Sequence, residues 1–324
     1  MIDTLTRDAF EEAREMIRGR LHMTPILSAS LLGQEAGTRL FLKCENLQKT
    51  GSFKVRGALH KLMRLPPVHK AAGVVTVSAG NHAQALAWAA REIGTPCTVV
   101  MPEGASPMKA EASRGYGARV ILHGDVFAAF DKAHELEETN GLTFIHPFDD
   151  PEIVAGHGSM GLEILEQLPD VDLVVAGIGG GGHLSGIATA IKLVNPSVRL
   201  IGVEPTGAAA MHRSLEAGHP VRLEQISTIA DGLAPPMVGN LNFEIVRQHV
   251  DDVVTVSDDD IVYAMARILT RAKLLAEPAG AAATAALLAG KIPVTRTERV
   301  VALVSGGNVG LGQLRAWGVL DRDA

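Results

Sequence analysis

Residues 49–58, with the sequence KTGSFKVRGA, place Lys54 in a short run of small, aromatic and cationic residues. The apolar residues that follow have the spacing of a buried helical face, and they are Val55, Ala58, Leu59 and Leu62. A lysine held against apolar packing has its charged form disfavoured, so a neutral, nucleophilic amine becomes available near neutral pH. The segment therefore indicates the amine that Schiff-base chemistry requires.

The same segment also fits an ordinary helix N-terminus. In that interpretation Ser52 caps the helix, and Lys54 and Arg56 lie in solvent. The segment alone does not decide between a buried amine and a solvated one, and other parts of the chain are needed for that decision.

Strand-like and helix-like stretches alternate along the chain with a period of about 25 residues, which predicts parallel strands joined by helical crossovers. The strand-like stretches are 39–44, 73–78, 97–101, 119–122, 143–145, 171–176, 199–203, 253–256 and 300–304. The helix-like stretches are 8–20, the end of the lysine segment to 64, 83–93, 109–116, 127–139, 184–194, 258–274 and 280–288. We expect an α/β fold of two open, twisted, mainly parallel sheets flanked by helices, with ligands beyond the carboxyl ends of the strands.

The composition is that of a globular protein, with 47% hydrophobic and 20% charged residues. The formal charge of −6, with no basic stripe to offset it, argues against a nucleic-acid partner. Residues 1–20 are charged and are not expected to be a secretory signal, and no apolar run reaches the ~18 residues of a membrane span. Cys44 and Cys97 have neither metal-site nor disulfide spacing. We therefore expect a cytoplasmic protein.

Four consecutive glycines, which we call the glycine loop, follow a predicted strand and precede a predicted helix; they are Gly179, Gly180, Gly181 and Gly182. Without side chains, their backbone N–H groups can converge on an anion, and the helix N-terminus adds partial positive charge. The spacing is neither that of a P-loop nor a clean dinucleotide fingerprint. The loop predicts a phosphate site, with a flexible turn as the alternative.

Two further turns follow predicted strands. The turn SAGNH at residues 78–82 offers the amide of Asn81 to a ligand oxygen and its backbone N–H groups to a carboxylate, while helix capping by Asn81 and His82 is the alternative. The turn SGGN at residues 305–308 closes the last predicted strand. The hydroxyl of Ser305 could hydrogen-bond a neutral ring nitrogen, although another glycine-rich turn would look the same.

In this order, the four segments resemble those of the fold-type II pyridoxal-phosphate (PLP) enzymes, in the branch of the threonine/serine dehydratases and serine racemases. The resemblance extends from about residue 24 to residue 308, and its most specific parts are KTGSFKVRGA, SAGNHAQA and the glycine loop. It implies a tryptophan synthase β-like fold. By the same resemblance, we expect residues 1–72 and 150–324 to form a large PLP-binding domain and residues 73–149 a small domain.

The resemblance also implies roles for individual residues. Lys54 would carry the Schiff base with PLP, and Phe53 would pack against the cofactor ring. Asn81 would contact the phenolic oxygen of PLP, the glycine loop would hold its phosphate, and Ser305 would face its pyridine nitrogen. The turn that would bind the substrate carboxylate consists of Ser78, Ala79, Gly80, Asn81 and His82.

The activity implied by the resemblance is a dehydratase that converts L-threonine, L-serine or both to 2-oxobutyrate or pyruvate plus ammonia by α,β-elimination. The alternatives that stay open are a lyase for 3-hydroxyaspartate or phenylserine, a serine racemase, and a phosphate-binding protein without catalysis. The family suggests a homodimer or homotetramer. Relatives in isoleucine biosynthesis carry a C-terminal regulatory domain, and we expect none after the SGGN turn, which favours a catabolic role.

Three positions depart from the family pattern. By the resemblance, serine racemases have a second serine at the position of Ala79, where it acts as the acid/base on the opposite face of the Cα carbanion. Alanine cannot transfer a proton, which predicts elimination with little racemisation. Relatives with a divalent-cation site have an acidic residue six positions after the residue matching Glu204, but this chain has Ala210, which predicts no metal site. His183 follows the glycine loop where leucine is common, and we expect it to be a partly exposed helix residue.

Overall fold

A computed structural model describes residues 2–322 of the chain. Its strands are β1 (Ile26–Ser28), β2 (Arg39–Cys44), β3 (Val74–Val77), β4 (Cys97–Met101), β5 (Arg119–Leu122), β6 (Thr143–Phe144), β7 (Leu173–Gly177), β8 (Arg199–Pro205), β9 (Asp252–Val256) and β10 (Arg299–Val304). Its α-helices are α1 (Arg7–Ile17), α2 (Ser30–Ala36), α3 (Lys54–Arg64), α4 (Pro67–Ala72), α5 (Asn81–Ile93), α6 (Pro107–Gly115), α7 (Val126–Asn140), α8 (Pro151–Gln167), α9 (Gly182–Val194), α10 (Ala210–Ala217), α11 (Asn240–His249), α12 (Asp258–Arg267), α13 (Pro278–Leu288) and α14 (Leu311–Ala316).

The strands form two sheets. One sheet has six strands in the order β1-β2-β10-β7-β8-β9, and the other has four in the order β5-β4-β3-β6. Among the strands described, β1 pairs with β2 in antiparallel fashion and the other neighbours are parallel. This confirms the prediction of an α/β fold with two mainly parallel sheets flanked by helices.

The central strands of the six-stranded sheet are buried on both faces. In β10, Val300, Ala302 and Val304 pack into one core with α12 and α13, while Val301 and Leu303 pack into a second core with α8 and α9. Successive side chains of a strand point to opposite faces, so both faces of β10 must be apolar. This explains why the strand reads as a continuous apolar run rather than an alternating one.

Helix α8 was not predicted from the sequence. Asp150 caps it by accepting hydrogen bonds from the N–H groups of Glu152 and Ile153. Twelve of its residues, from Ile153 to Ile164, are buried on every side of the helix. A helix that is buried all round shows no 3.6-residue alternation of polar and apolar positions. The same difficulty does not affect α1, whose buried and exposed residues alternate clearly.

The predicted helix at 258–274 is only partly correct. The α-helix ends at Arg267, and a π-helical turn continues from Ile268 to Ala272. Lys273 then adopts the left-handed conformation with a φ of 59°. Within residues 2–322, none of the helices combines the length and the apolar character that a membrane crossing requires.

The predicted functional segments lie at the carboxyl ends of parallel strands. Residue 78 follows β3, the glycine loop follows β7 closely, and Ser305 follows β10. β3 belongs to the four-stranded sheet, whereas β7 and β10 belong to the six-stranded one. The division into domains at 72/73 and 149/150 stays a prediction, which this distribution of strands supports.

Candidate active site

The end of β10 lies against the lysine segment. The N–H of Phe53 donates to the carbonyl of Ser305 at 3.1 Å, and the N–H of Gly307 donates to the carbonyl of Gly51 at 2.9 Å. Gly51 has a φ of 70°, and a Cβ there would lie 2.4 Å from the Oδ1 of Asn308. Only glycine fits this position, because other residues rarely adopt the left-handed conformation and have no room here. The lysine segment and the SGGN turn therefore form one wall.

Lys54 begins α3 and is partly buried in the site. Its Nζ donates a hydrogen bond to the carbonyl of Pro147 at 3.0 Å and lies 5.2 Å from the centre of the Phe53 ring. Burial lowers the pKa of Lys54 to about 8. At this pKa about a tenth of the amine is neutral at pH 7, far more than for a lysine in water. The partial burial and the lowered pKa agree with the sequence-based expectation, and the solvated alternative for Lys54 is wrong.

The segment that holds Lys54 also contacts the glycine loop. Pro147 accepts from Lys54, and the ring of the next residue, Phe148, lies against Gly180 so closely that a Cβ there would be 2.3 Å from it. The carbonyl of Phe148 accepts from the Nδ2 of Asn242 at 3.0 Å, which holds it in place. The amine and the glycine loop therefore lie on either side of residues 147 and 148.

The glycine loop is held through the carbonyl group of Gly180. The carbonyl of Gly180 accepts from the N–H of Gly239 at 3.1 Å and from the Nδ2 of Asn242 at 2.9 Å. In the described part of the chain, the N–H groups of residues 179–181 donate no hydrogen bond. Gly181 has a φ of 96°, and a Cβ would lie 2.6 Å from that of Asn242. Unpaired N–H groups at the start of a helix are an anion site.

His183 differs from its sequence-based expectation. It is buried, with 6% of its surface exposed, and its ring stacks on Phe53 with 3.7 Å between ring centres and 18° between planes. The expectation of a partly exposed residue is therefore wrong. The stack joins the first turn of α9 to the residue before Lys54. An imidazole supplies a flat face for such a stack, which an aliphatic side chain does not.

Four histidines line this region: His82, His146, His157 and His183. Burial lowers the pKa of each, and the positive charge of Lys54 lowers it further. The pKa of His183 falls to about 3. All four rings are therefore neutral at pH 7, and they line the site without adding positive charge beside the Lys54 amine.

The SAGNH turn leads into α5 and is partly exposed. The N–H of Gly80 donates to the Oγ of Ser78 at 3.2 Å, and Ala79 lies between them with no polar side chain. Asn81, the first residue of α5, donates through Nδ2 to Oε1 of Glu277 at 2.5 Å. Its Oδ1 accepts from the Nδ2 of Asn308 at 2.8 Å. Asn81 is thus held by two side chains and does not cap the helix, since the helix has no side-chain cap.

Ser305 is buried, with 5% exposed, behind the lysine segment. Its Oγ donates to the carbonyl of Ala279 at 3.3 Å, near the N-terminus of α13. A hydroxyl has one hydrogen and two lone pairs. To donate to a ring nitrogen, the hydroxyl would therefore have to rotate away from the carbonyl of Ala279. The bond to Ala279 is a weak competitor, because it is 3.3 Å long.

Two groups in and behind the site were not identified from the sequence. The first is Glu277, a buried carboxyl that contacts Asn81; in the sequence, an acidic residue before Pro278 looks like a helix cap. The second surrounds Arg56, which donates to Glu45 and Glu163 at 2.7–2.8 Å. Lys43 donates to Glu163 at 2.7 Å. The solvated alternative for Arg56 is therefore wrong.

The charges around Arg56 balance, since two cations face two carboxylates. Arg56 is on α3, Lys43 is on β2 and Glu163 is on α8. Breaking such a buried pair leaves an uncompensated charge and typically costs about 3–5 kcal/mol. The cluster therefore fixes the first turn of α3, and with it Lys54, relative to two other elements.

The described residues offer the groups that PLP needs. Lys54 supplies an amine with a lowered pKa, the glycine loop supplies unpaired N–H groups for a phosphate, and Phe53 and Asn81 supply a ring contact and an amide. Residues 2–322 contain no group of three or more His, Cys, Asp or Glu side chains placed to hold a metal ion. The site therefore fits the phosphorylated carbonyl cofactor that the resemblance implies.

Comparisons with known proteins identify the family of this chain. The chain is 43% identical to the L-threonine ammonia-lyase of Thermotoga maritima, over 96% of this chain and 77% of that protein. It is also 43% identical to the catabolic L-threonine dehydratase TdcB of Escherichia coli K12, over 95% of this chain and 94% of that protein. The structure of maize serine racemase has a TM-score of 0.92 at 37% identity and covers 98% of both chains. A family model described as pyridoxal-phosphate dependent enzyme matches residues 17–306, and the chain belongs to this family.

Proposed function

We propose that the protein is a PLP-dependent ammonia-lyase that converts L-threonine, L-serine or both to 2-oxobutyrate or pyruvate plus ammonia. The observation that carries this proposal is the amine of Lys54, with its pKa of about 8, beside the unpaired N–H groups of the glycine loop. The names of the Thermotoga and Escherichia relatives support threonine as a substrate. The name of the second also supports a catabolic role.

The proposed roles follow from the chemistry of each group. Bound PLP supplies an electron sink next to the Cα of the amino acid. Lys54 would hold the cofactor covalently through Nζ between turnovers, and the same amine, when free, would take the Cα proton; both tasks need its neutral form. The glycine loop and the N-terminus of α9 would hold the phosphate, because both present N–H groups. Phe53 would pack against the cofactor ring, Asn81 would donate to its ring oxygen, and Ser305 would face its nitrogen.

The substrate carboxylate is assigned to the turn before α5. The first N–H groups of a helix have no partner within the helix and carry partial positive charge, which suits a carboxylate. The assigned residues are Ser78, Ala79, Gly80, Asn81 and His82. His82 contributes its backbone, because burial and the charge of Lys54 keep the pKa of its buried ring well below the usual value.

Replacing Lys54 tests the proposal. Lys54→Ala removes both the covalent attachment and the proton acceptor, so we expect turnover of threonine and serine to fall by at least about 10³-fold. Lys49→Ala is the matched control, because Lys49 is an exposed lysine in the same segment and should retain wild-type turnover. Production of 2-oxo acid by Lys54→Ala at the wild-type rate would refute the assignment.

Serine racemisation is the second candidate, since maize serine racemase shares the fold at 37% identity. Racemisation needs a proton donor on the face of Cα opposite Lys54, and the methyl group of Ala79 cannot donate one. We therefore expect D-serine to form from L-serine far more slowly than pyruvate does. Chiral chromatography of the reaction measures both products. Comparable rates of racemisation and elimination would contradict this expectation.

The remaining alternatives differ in substrate or lack catalysis. A panel containing threonine, serine, 3-hydroxyaspartate and phenylserine, assayed for 2-oxo acid, separates the possible lyases. We expect threonine or serine to have the highest kcat/KM. A protein that only binds phosphate ligands would show no 2-oxo acid with any of them.

We further propose a homodimer or homotetramer in the cytoplasm, with a large domain formed by residues 1–72 and 150–324 and a small domain formed by residues 73–149. The separation of the strands between two sheets supports the domain division. Sedimentation of the purified protein measures the oligomeric state. A monomer at micromolar concentration would contradict the proposed assembly.

A further inference from the structure

Glu277 is a buried carboxyl at the N-terminus of α13. It is 4% exposed, and it occupies the position that flanks the helix. Its side chain does not cap that helix, because no backbone N–H of the first turn donates to it. Instead it reaches towards the SGGN turn, where a Cβ on Gly306 would lie 2.1 Å from Oε1. The glycine at 306 therefore leaves the space that this carboxyl occupies.

Glu277 is the first member of a chain of side-chain contacts. Asn81 Nδ2 donates to Glu277 Oε1 at 2.5 Å, and Asn308 Nδ2 donates to Asn81 Oδ1 at 2.8 Å. Asn308 is held in turn, because its Nδ2 also donates to the carbonyl of Thr50 at 2.9 Å. A primary amide has two N–H donors and one carbonyl acceptor. These contacts occupy one donor and the acceptor of Asn81, and one N–H remains.

Burying a carboxyl at this position costs free energy, because the group loses its contact with water. Burial raises the pKa of Glu277 to about 7, while the hydrogen bond from Asn81 opposes the shift. Lys109 pairs with Asp231 and does not form an ion pair with Glu277. An apolar side chain would avoid this desolvation. Both the ionised and the protonated carboxyl keep an oxygen that can accept from Asn81, so the contact survives across neutral pH.

We propose that Glu277 is a positioning residue, whose carboxyl oxygen fixes the orientation of the Asn81 amide so that its remaining N–H faces the cofactor ring. This inference rests on the proposed function in assigning Asn81 to the cofactor. Glu277 and Asn308 hold the amide from its two ends. An amide without these partners could rotate by half a turn and present its oxygen, which would repel the ring oxygen of PLP.

The absorbance of the bound cofactor tests the inference without turnover. Glu277→Met removes the acceptor at similar size, and we expect a shifted visible absorbance maximum and about tenfold weaker binding of PLP, the effect of one hydrogen bond. Glu277→Gln keeps an acceptor oxygen and should retain both wild-type values. In an Asn81→Ala background, Glu277→Met should cause no further change, because the amide that it positions is gone.

The outcomes are distinguishable. Unchanged absorbance and PLP binding in Glu277→Met, or an equal effect in the Asn81→Ala background, would overturn the inference. Should Glu277→Met not fold, Asn308→Ala releases the other end of the Asn81 amide and should produce the same absorbance shift; an unchanged spectrum there would also overturn it. Failure of the proposed function is seen separately, as absence of turnover by a wild-type enzyme whose cofactor spectrum is intact.

Discussion

At the scale of single residues, Lys54 owes its proposed reactivity to desolvation of its amine. Burial is the cause of its lowered pKa, and its Nζ finds a carbonyl rather than a carboxylate as partner, that of Pro147. A carboxylate would hold the proton on the amine and raise the pKa instead. The cofactor-free protein therefore contains a poorly hydrated ammonium group, which destabilises the fold until the amine loses its charge.

The desolvation of the Lys54 amine predicts that Lys54→Met stabilises the cofactor-free protein. The folded pKa of about 8 lies below the ordinary 10.5, so below pH 8 the charged amine destabilises the wild type, by up to about 3 kcal/mol. The unfolded chain keeps its proton to higher pH, so the wild type regains stability as pH rises from about 8 to 10.5. Urea titrations of both proteins at pH 7 and pH 10 measure the difference. A difference that does not shrink at the higher pH would contradict the low pKa.

At the scale of elements, helix α10 supplies the hydrogen-bond donors for the carboxyl of Glu204. The N–H of Met211 donates to Oε1 of Glu204 at 2.7 Å, and the N–H of His212 donates to Oε2 at 2.8 Å. Burial nevertheless raises the pKa of Glu204 to about 7. Both oxygens are satisfied by the protein, and Ala210, the first residue of α10, has no side-chain oxygen to offer a cation.

This arrangement predicts activity that does not depend on a divalent cation. Treatment with EDTA should leave turnover and Tm unchanged, because we expect no bound divalent cation for EDTA to remove. Ala210→Asp is the informative control: it adds a second carboxylate beside Glu204, so its Tm in EDTA should fall below that of the wild type and rise with Mg²⁺ or Ca²⁺. Loss of wild-type activity in EDTA that Mg²⁺ restores would contradict the prediction.

The elements that the sequence predicted well are those with a clear periodic pattern. The strands β2, β4 and β5 were predicted with their observed ends, since β2 alternates like a strand and β4 and β5 are short, largely apolar stretches. Helix α8 was missed because it is buried on all sides. The Arg56 cluster was missed because its partner Glu163 comes from that helix, and pairing between distant charges leaves no local pattern.

At the scale of the whole molecule, the site depends on contacts between distant parts of the chain. The order of the strands brings β10, the last strand, between β2 and β7, so the SGGN turn lies between the lysine segment and the glycine loop. Motifs with their own local chemistry, such as the glycine loop, were recognisable in the sequence. Glu277 was not, since its contact forms only when the residue before α13 comes within hydrogen-bond distance of Asn81, the first residue of α5.

The central claim is that Lys54 holds PLP, and covalent mapping tests it most directly. The holoenzyme is reduced with borohydride, which fixes a Schiff base between lysine and cofactor, and is then digested for peptide mass spectrometry. We predict a single phosphopyridoxyl group, on the peptide that contains Lys54, and none on the peptide that contains only Lys49. A label on another lysine, or a reduced protein without any label, would contradict the account.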